Sequence, residues 1–342
     1  MYHPEMSNER PSPRRLPEIL RRRAGATVVD NLFRALAGLG RLHPQAQPHR
    51  HQVEVVRDVP YRPTGSPAHL LDIYRPTSLP GPWPVVLYIH GGGFRILSKD
   101  THWVMGLAFA RRGFLVFNIN YRLAPKHRYP AAVEDAAAAY AWVARHAADY
   151  GGDLSRFVIA GESAGANLAT VMAACASYER PEPAAREVFA TGLVPRAAVA
   201  ACGMLQVTDP ERFRRRKRLP SWVYDRIIEV SDAYVGGAPA PGPEMALADP
   251  LVLLESAAAP LRPLPAFFAP VGTRDPILDD TRRLKLALDR LGVPCEARYY
   301  PGEVHAFHAL VFRENARLCW TEAFRFLDEH VGPLPRAATR RR

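Results

Sequence analysis

The sequence predicts an α/β protein, a mostly parallel sheet with helices on both faces. Three observations carry that expectation. From Pro84 to His330, short apolar runs rich in Val, Ile and Phe alternate with helix-patterned stretches. At Arg156 to Leu168, RFVIAGESAGANL, such a run passes through two glycines straight into a helical pattern. The 33 prolines gather at the junctions between these segments, as punctuation between elements.

Taken in order, residues 1 to about 50 are basic and Pro-rich, with an amphipathic helix expected over Thr27 to Leu42. Val53 to Val59 and His69 to Tyr74 read as strands of an antiparallel meander at a sheet edge. Strand Pro84 to Ile89, helix Thr101 to Arg112, strand Phe114 to Ile119 and the Ala-rich helix Ala131 to Ala148 follow. Phe157 to Ala160 is the next strand, with a helix over Ala166 to Ala176. Strand Arg196 to Ala201 leads into an irregular insertion reaching about Leu264. Ala266 to Val271, helix Ile277 to Leu291, strand Cys295 to Tyr300 and helix Ala309 to His330 close the pattern. The domains expected are an N-terminal segment 1–50, a catalytic domain 51–202 plus 265–330, an insertion 203–264 and a basic tail 331–342.

At 342 residues, 48% hydrophobic and 23% charged, the chain has ample material for a core. No apolar run approaches a membrane span, and the N-terminus lacks the apolar stretch of a signal peptide. The four cysteines stand singly, without C-x-x-C spacing, and read as reduced packing residues. A cytoplasmic setting, without stable membrane insertion, follows as an expectation. The net charge of +11 sits largely in the clusters Arg14-Arg15, Arg21 to Arg23, Arg214 to Arg218 and Arg340 to Arg342. No zinc-finger, RRM or KH signature accompanies them, so nucleic acid is not expected as a partner. Charge runs are usually solvated surface; attraction to anionic substrates or membranes is the other reading.

G-x-S-x-G between a strand and a helix is the context of a nucleophile elbow, which singles out Ser163. A helix N-cap is the ordinary alternative for that serine. A hydroxyl nucleophile needs a base, and imidazole accepts and returns protons near neutral pH. His305 follows the last strand in the loop PGEVHAFHAL; His308 lies one turn onward and is its rival. Asp275 is the first carboxylate after strand Ala266 to Val271, and it also suits an N-cap before Pro276. Asp279 and Asp280 lie inside the next helix, and Asp249 in the insertion. His90 to Phe94, HGGGF, directly follows a strand, and its glycines leave backbone N–H groups unobstructed. Such a loop supplies half of an oxyanion hole, and the residue after the nucleophile, Ala164, supplies the rest. The phosphate-binding glycine patterns are missing.

Together HGGGF, YRLAP (Tyr121 to Pro125), YPAAVEDA (Tyr129 to Ala136), GESAGANLA (Gly161 to Ala169), RDPILDD (Arg274 to Asp280) and HAF (His305 to Phe307) resemble the hormone-sensitive-lipase-like branch of the α/β-hydrolase fold. The resemblance spans about residues 53 to 328. It implies a triad of Ser163, Asp275 and His305, with Gly92, Gly93 and Ala164 as the oxyanion hole. It further implies a helical cap built from residues 1–50 and the insertion, and a homodimer through the sheet edge. Phe94 and Glu162 beside the site, and Trp222 and Tyr224 of the insertion, are expected to contact substrate, with ordinary packing of a cap helix the other reading for the two insertion residues. Glu162, Ala166 and Ala306 depart from the family's usual aspartate, glycine and glycine, each adding bulk. The function expected is a serine carboxylesterase for short- to medium-chain acyl esters, calling for no metal or cofactor. Amidase or arylformamidase and lipase activities would use the same triad. A small-molecule receptor would have the pocket without the base.

Overall fold

The computed structural model describes Asn31, Ala35 and residues 37–216, 219–237 and 242–333. Eight strands form one sheet: β1 Val53–Pro60, β2 Leu70–Pro76, β3 Trp83–Ile89, β4 Leu115–Ile119, β5 Gly152–Glu162, β6 Ala197–Ala201, β7 Ala266–Gly272 and β8 Cys295–Tyr300. Their order is β1-β2-β4-β3-β5-β6-β7-β8. β2 runs antiparallel to both of its neighbours, and every other pairing is parallel. The edge meander and the parallel body are thus as the sequence pattern implies.

The helices are α1 Trp103–Ala110, α2 Ala131–His146, α3 Ala164–Ser177, α4 Pro183–Ala190, α5 Arg212–Arg216, α6 Ser221–Val235, α7 Pro250–Ser256, α8 Leu278–Arg290 and α9 Glu314–Val331. They divide between two cores because strand side chains alternate faces. Val85, Leu87 and Ile89 of β3 join Phe157 and Ile159 of β5 against α2, α3, α4 and α8. Val86, Tyr88, Val158 and Ala160 face α1 and α9 on the other side. Burial on both faces is why these strands read as unbroken apolar runs.

Several boundaries differ from expectation. β5 begins five residues before Phe157 because Gly152 and Asp153 pair with Trp83 and Pro84 across a bulge. α9 begins at Glu314, not Ala309, because Phe307–Ala309 is a separate 3-10 turn and Arg313 N–H closes another onto Leu310 O. α4 was not expected; its Pro-rich leader ERPEP conceals a helix that starts with Pro183 at its first position. The insertion is not irregular, since it holds α5, α6 and α7.

Two latches root the insertion. Asp280 of α8 accepts Leu205 N–H at 2.9 Å and pairs with the buried Arg212 at 2.7 Å. Asp249 accepts the N–H groups of Val207 and Thr208 at 2.5 and 3.2 Å. Asn167 of α3 then donates to Met204 O and Ala248 O, at 2.8 and 3.0 Å, holding both ends together. A neighbouring turn is fixed likewise: Arg122 Nε and N–H both reach Asp135 Oδ2, at 2.8 and 2.9 Å.

Of the expected N-terminal helix, residues 37–42 are helical, and the remainder falls largely outside the described residues. So do the clusters Arg14-Arg15, Arg21 to Arg23 and Arg340 to Arg342, together with Lys217 and Arg218. All four cysteines are free. No helix among the described residues is long and apolar enough to cross a membrane.

Candidate active site

The elbow forms where β5 meets α3. Ser163 has φ 54° and ψ −117°, a strained conformation for a residue with a Cβ. The flanking glycines are obligatory on steric grounds. A Cβ on Gly161 would lie 2.5 Å from the Gly165 carbonyl carbon, and one on Gly165 2.0 Å from Ile89 O. Ser163 N–H is bound to Ala201 O at 2.9 Å, which pins the turn to β6. Its Oγ does not cap α3. Instead it lies 3.0 Å from His305 Nε2.

His305 stands on the loop after β8, followed by Ala306 with φ 56°. Its Nδ1 lies 2.8 Å from Asp275 Oδ2. Asp275 is fully buried, and its Oδ1 accepts Ile277 N–H at 2.9 Å, so the carboxylate both orients the imidazole and starts the turn into α8. Burial works against a charged His305, but the Asp275 carboxylate and the Cys202 thiol beside it carry its pKa well above the ordinary 6.5. His308 is placed differently. It is 6% exposed, burial pushes its pKa down to about 3, and it faces a cavity of about 20 Å³ between β5 and α9. Asp279 pairs with Arg282 on the surface, while Asp249 and Asp280 serve the insertion.

The glycine loop leaves β3 at His90. Gly92 has φ 107°, and a Cβ there would lie 2.1 Å from Ile96 O. Gly93 has φ 59°, and its missing Cβ would meet Val230 of α6 at 2.6 Å. An ion pair from Arg95 to Glu229 ties the same loop to α6. Behind it, Gly91 N–H donates to Glu162 Oε1 at 2.6 Å, and His102 Nε2 reaches that same oxygen at 2.7 Å. The start of the loop is thus held against Glu162, the residue before Ser163, and Ala164, the residue after it, opens α3.

Two residues expected to touch substrate do not present a surface to it. Phe94 is fully buried and stacked on Tyr234 with ring centroids 3.7 Å apart. Glu162 is 4% exposed, and its carboxyl is turned onto Gly91 and His102. Trp222 projects into solvent at 69% exposure, while Tyr224 lies under Arg214, whose guanidinium carbon is 5.5 Å from the ring centroid.

Cys202, Asp275 and His305 form the one set among the described residues whose donor atoms lie close enough to ligate a metal, within 4.8 Å. Two of them are already joined by the hydrogen bond above. Sequence reasoning passed over His102 and Cys202. The position of Cys202 at the end of β6 was the available signal for that residue, since the strand ends carry the site. Nothing local distinguishes His102 from the chain's other histidines.

Comparison with known proteins agrees with this fold. A family model described as alpha/beta hydrolase fold matches residues 86–309. Carboxylesterase NlhH of Mycobacterium tuberculosis is 34% identical over 239 residues, covering 69% of this chain and 70% of that protein. Esterase LipI of the same organism is 34% identical over 271 residues, covering 76% of each. Among solved structures, a bacterial heroin esterase superposes with a TM-score of 0.74 at 25% identity, covering 90% of this chain and 92% of that one. A hyperthermophilic esterase from Pyrobaculum calidifontis gives 0.69 at 25% identity, with 89% and 91% covered. The chain belongs to the alpha/beta hydrolase fold family, in its hormone-sensitive-lipase-like carboxylesterase branch.

Proposed function

We propose that this protein is a serine carboxylesterase acting through an acyl-enzyme. The observation that carries the proposal is the hydrogen-bonded line from Ser163 Oγ through His305 to Asp275, at 3.0 and 2.8 Å. The relatives named as carboxylesterase and esterase support the same reaction class. Asp275 accepts Nδ1–H and fixes the tautomer that leaves Nε2 bare toward the serine hydroxyl. As Oγ attacks the ester carbonyl, Nε2 takes its proton, and Asp275 stabilises the imidazolium. The oxyanion develops toward the N–H groups of Gly92, Gly93 and Ala164. Collapse returns the proton to the departing alkoxide and leaves acyl-Ser163. Water, deprotonated by His305, then releases the acid and restores the serine.

The insertion acts in this reading as the cap over the acyl site. Val230 against Gly93 brings α6 close to the hole, which supports short to medium acyl chains over long ones. The test is hydrolysis of p-nitrophenyl esters from acetate to palmitate by wild type and Ser163→Ala. We expect turnover that peaks at short or medium chains and is lost in the variant. A variant with near-full activity overturns the mechanism. A long-chain optimum replaces the substrate class with that of a lipase.

A further inference from the structure

The buried carboxyl of Glu162 is not part of the relay, and its surroundings fix where a proton must be. His102 Nδ1 lies 2.9 Å from Thr101 Oγ1 and 3.1 Å from Ser98 O; the hydroxyl donates to that same carbonyl at 2.8 Å and the carbonyl only accepts, so the ring proton belongs on Nδ1. A neutral His102 then turns a bare Nε2 toward Glu162 Oε1, 2.7 Å away. Two lone pairs at that separation would repel, so one proton lies between them. Glu162 Oε1 accepts Gly91 N–H at 2.6 Å at the same time, while Oε2 is buried without a partner among the described residues. An ionised carboxylate with an unserved oxygen is costly in such a place, whereas the carbonyl oxygen of a neutral acid is tolerable.

We propose that Glu162 is a positioning residue held as a neutral carboxylic acid, donating its proton to His102 Nε2 while anchoring the oxyanion loop through Gly91 N–H. In that form it holds the loop without placing a negative charge beside the site where the oxyanion develops. The proposal rests on the esterase reading for its kinetic consequence but not for its protonation state.

The neighbours of the pair agree with a neutral acid. His90, at the end of β3, stacks on His102 with centroids 5.5 Å apart and on Tyr121 at 4.3 Å, and Tyr121 hydroxyl donates to His90 O. Burial pushes His102 down to about 4 and His90 to about 3, so both rings are neutral. Burial likewise pushes Glu162 up to about 8, against the opposing pull of Gly91 N–H and of His305. Among the described residues, His305 and the neutral His308, both from the loop after β8, also face this corner. Room for alternatives is small, since even a Cβ on Gly91 would lie 2.9 Å from Glu162 Oε1.

Two measurements test this. Infrared difference spectra of wild type against Glu162→Gln should show a carboxylic-acid C=O stretch at pH 6 that the variant lacks and that fades through about pH 8. No such band at pH 6 overturns the neutral acid. In kinetics, Glu162→Leu should lower kcat by roughly tenfold or more with KM little changed, because a displaced hole weakens transition-state binding. Glu162→Gln, neutral and still able to accept from Gly91, should recover most of that loss. A Leu variant with wild-type kcat overturns the positioning role, and a Gln variant as slow as Leu overturns the sufficiency of a neutral acceptor. If wild type hydrolyses no ester, the esterase reading fails, and the infrared band still decides the protonation state.

Discussion

Two buried carboxyl groups flank Ser163, and their surroundings set them to opposite tasks. On the side of the relay, both oxygens of Asp275 are occupied, one by His305 Nδ1 at 2.8 Å and the other by Ile277 N–H at 2.9 Å. On the side of the glycine loop, one oxygen of Glu162 takes Gly91 and His102 together while the other is unserved. Donors, not burial, separate them, since both side chains are almost fully enclosed. A carboxylate ringed by donors supplies charge to an imidazolium; one with too few supplies shape.

The comparison breaks first at Asp275. Asp275→Asn keeps an acceptor for Ile277 N–H but loses the charge and the tautomer control, so kcat should fall by about 10⁴-fold in steady-state assays. His305→Ala should be comparably damaging. Gly92→Ala should follow, with kcat down roughly 10²- to 10³-fold. Its methyl would strike Ile96 O and swing the loop, and losing one oxyanion donor costs that much.

The pH profile sharpens the same contrast. In the proposed mechanism His305 acts as the base only when Nε2 is bare, and its pKa is carried above 6.5, so kcat/KM should fall as pH drops through a value above 6.5. Asp275→Asn removes a charge that raises it, and the acid limb of the residual activity should move down. The smallest effect is expected of His308→Ala. That ring is sealed against an apolar cavity, and kcat should stay within about threefold of wild type. A loss as large as that of His305→Ala would reverse the assignment of the two histidines.

Those parts of the site that depend on local stereochemistry were legible in the sequence. Gly161 and Gly165 betray the elbow because no side chain fits at either position, and Asp275 and His305 betray themselves by following strands. Glu162 was legible as a departure but not as an anchor, because its partners come from two other elements, and His102 is 60 residues away in the chain. Phe94 misled for the same reason. It adjoins the glycine loop in sequence, while its ring is claimed by Tyr234 of α6. In the fold, α4 hid behind proline-rich sequence, and the extension of β5 rests on pairing with Trp83 and Pro84, which no pattern within β5 announces.

The roots of the insertion have a further consequence. Asp280 belongs to the helix that begins just beyond Asp275, and Asn167 to the helix that begins just beyond Ser163. The fastenings of the insertion are therefore built on the same two helices that start just beyond Ser163 and Asp275. Whatever sequence is threaded between Leu205 and Asp249 inherits a mount already aligned with the chemistry. On the proposed reading, substitutions along that stretch should alter substrate choice with little disturbance to the relay beneath it.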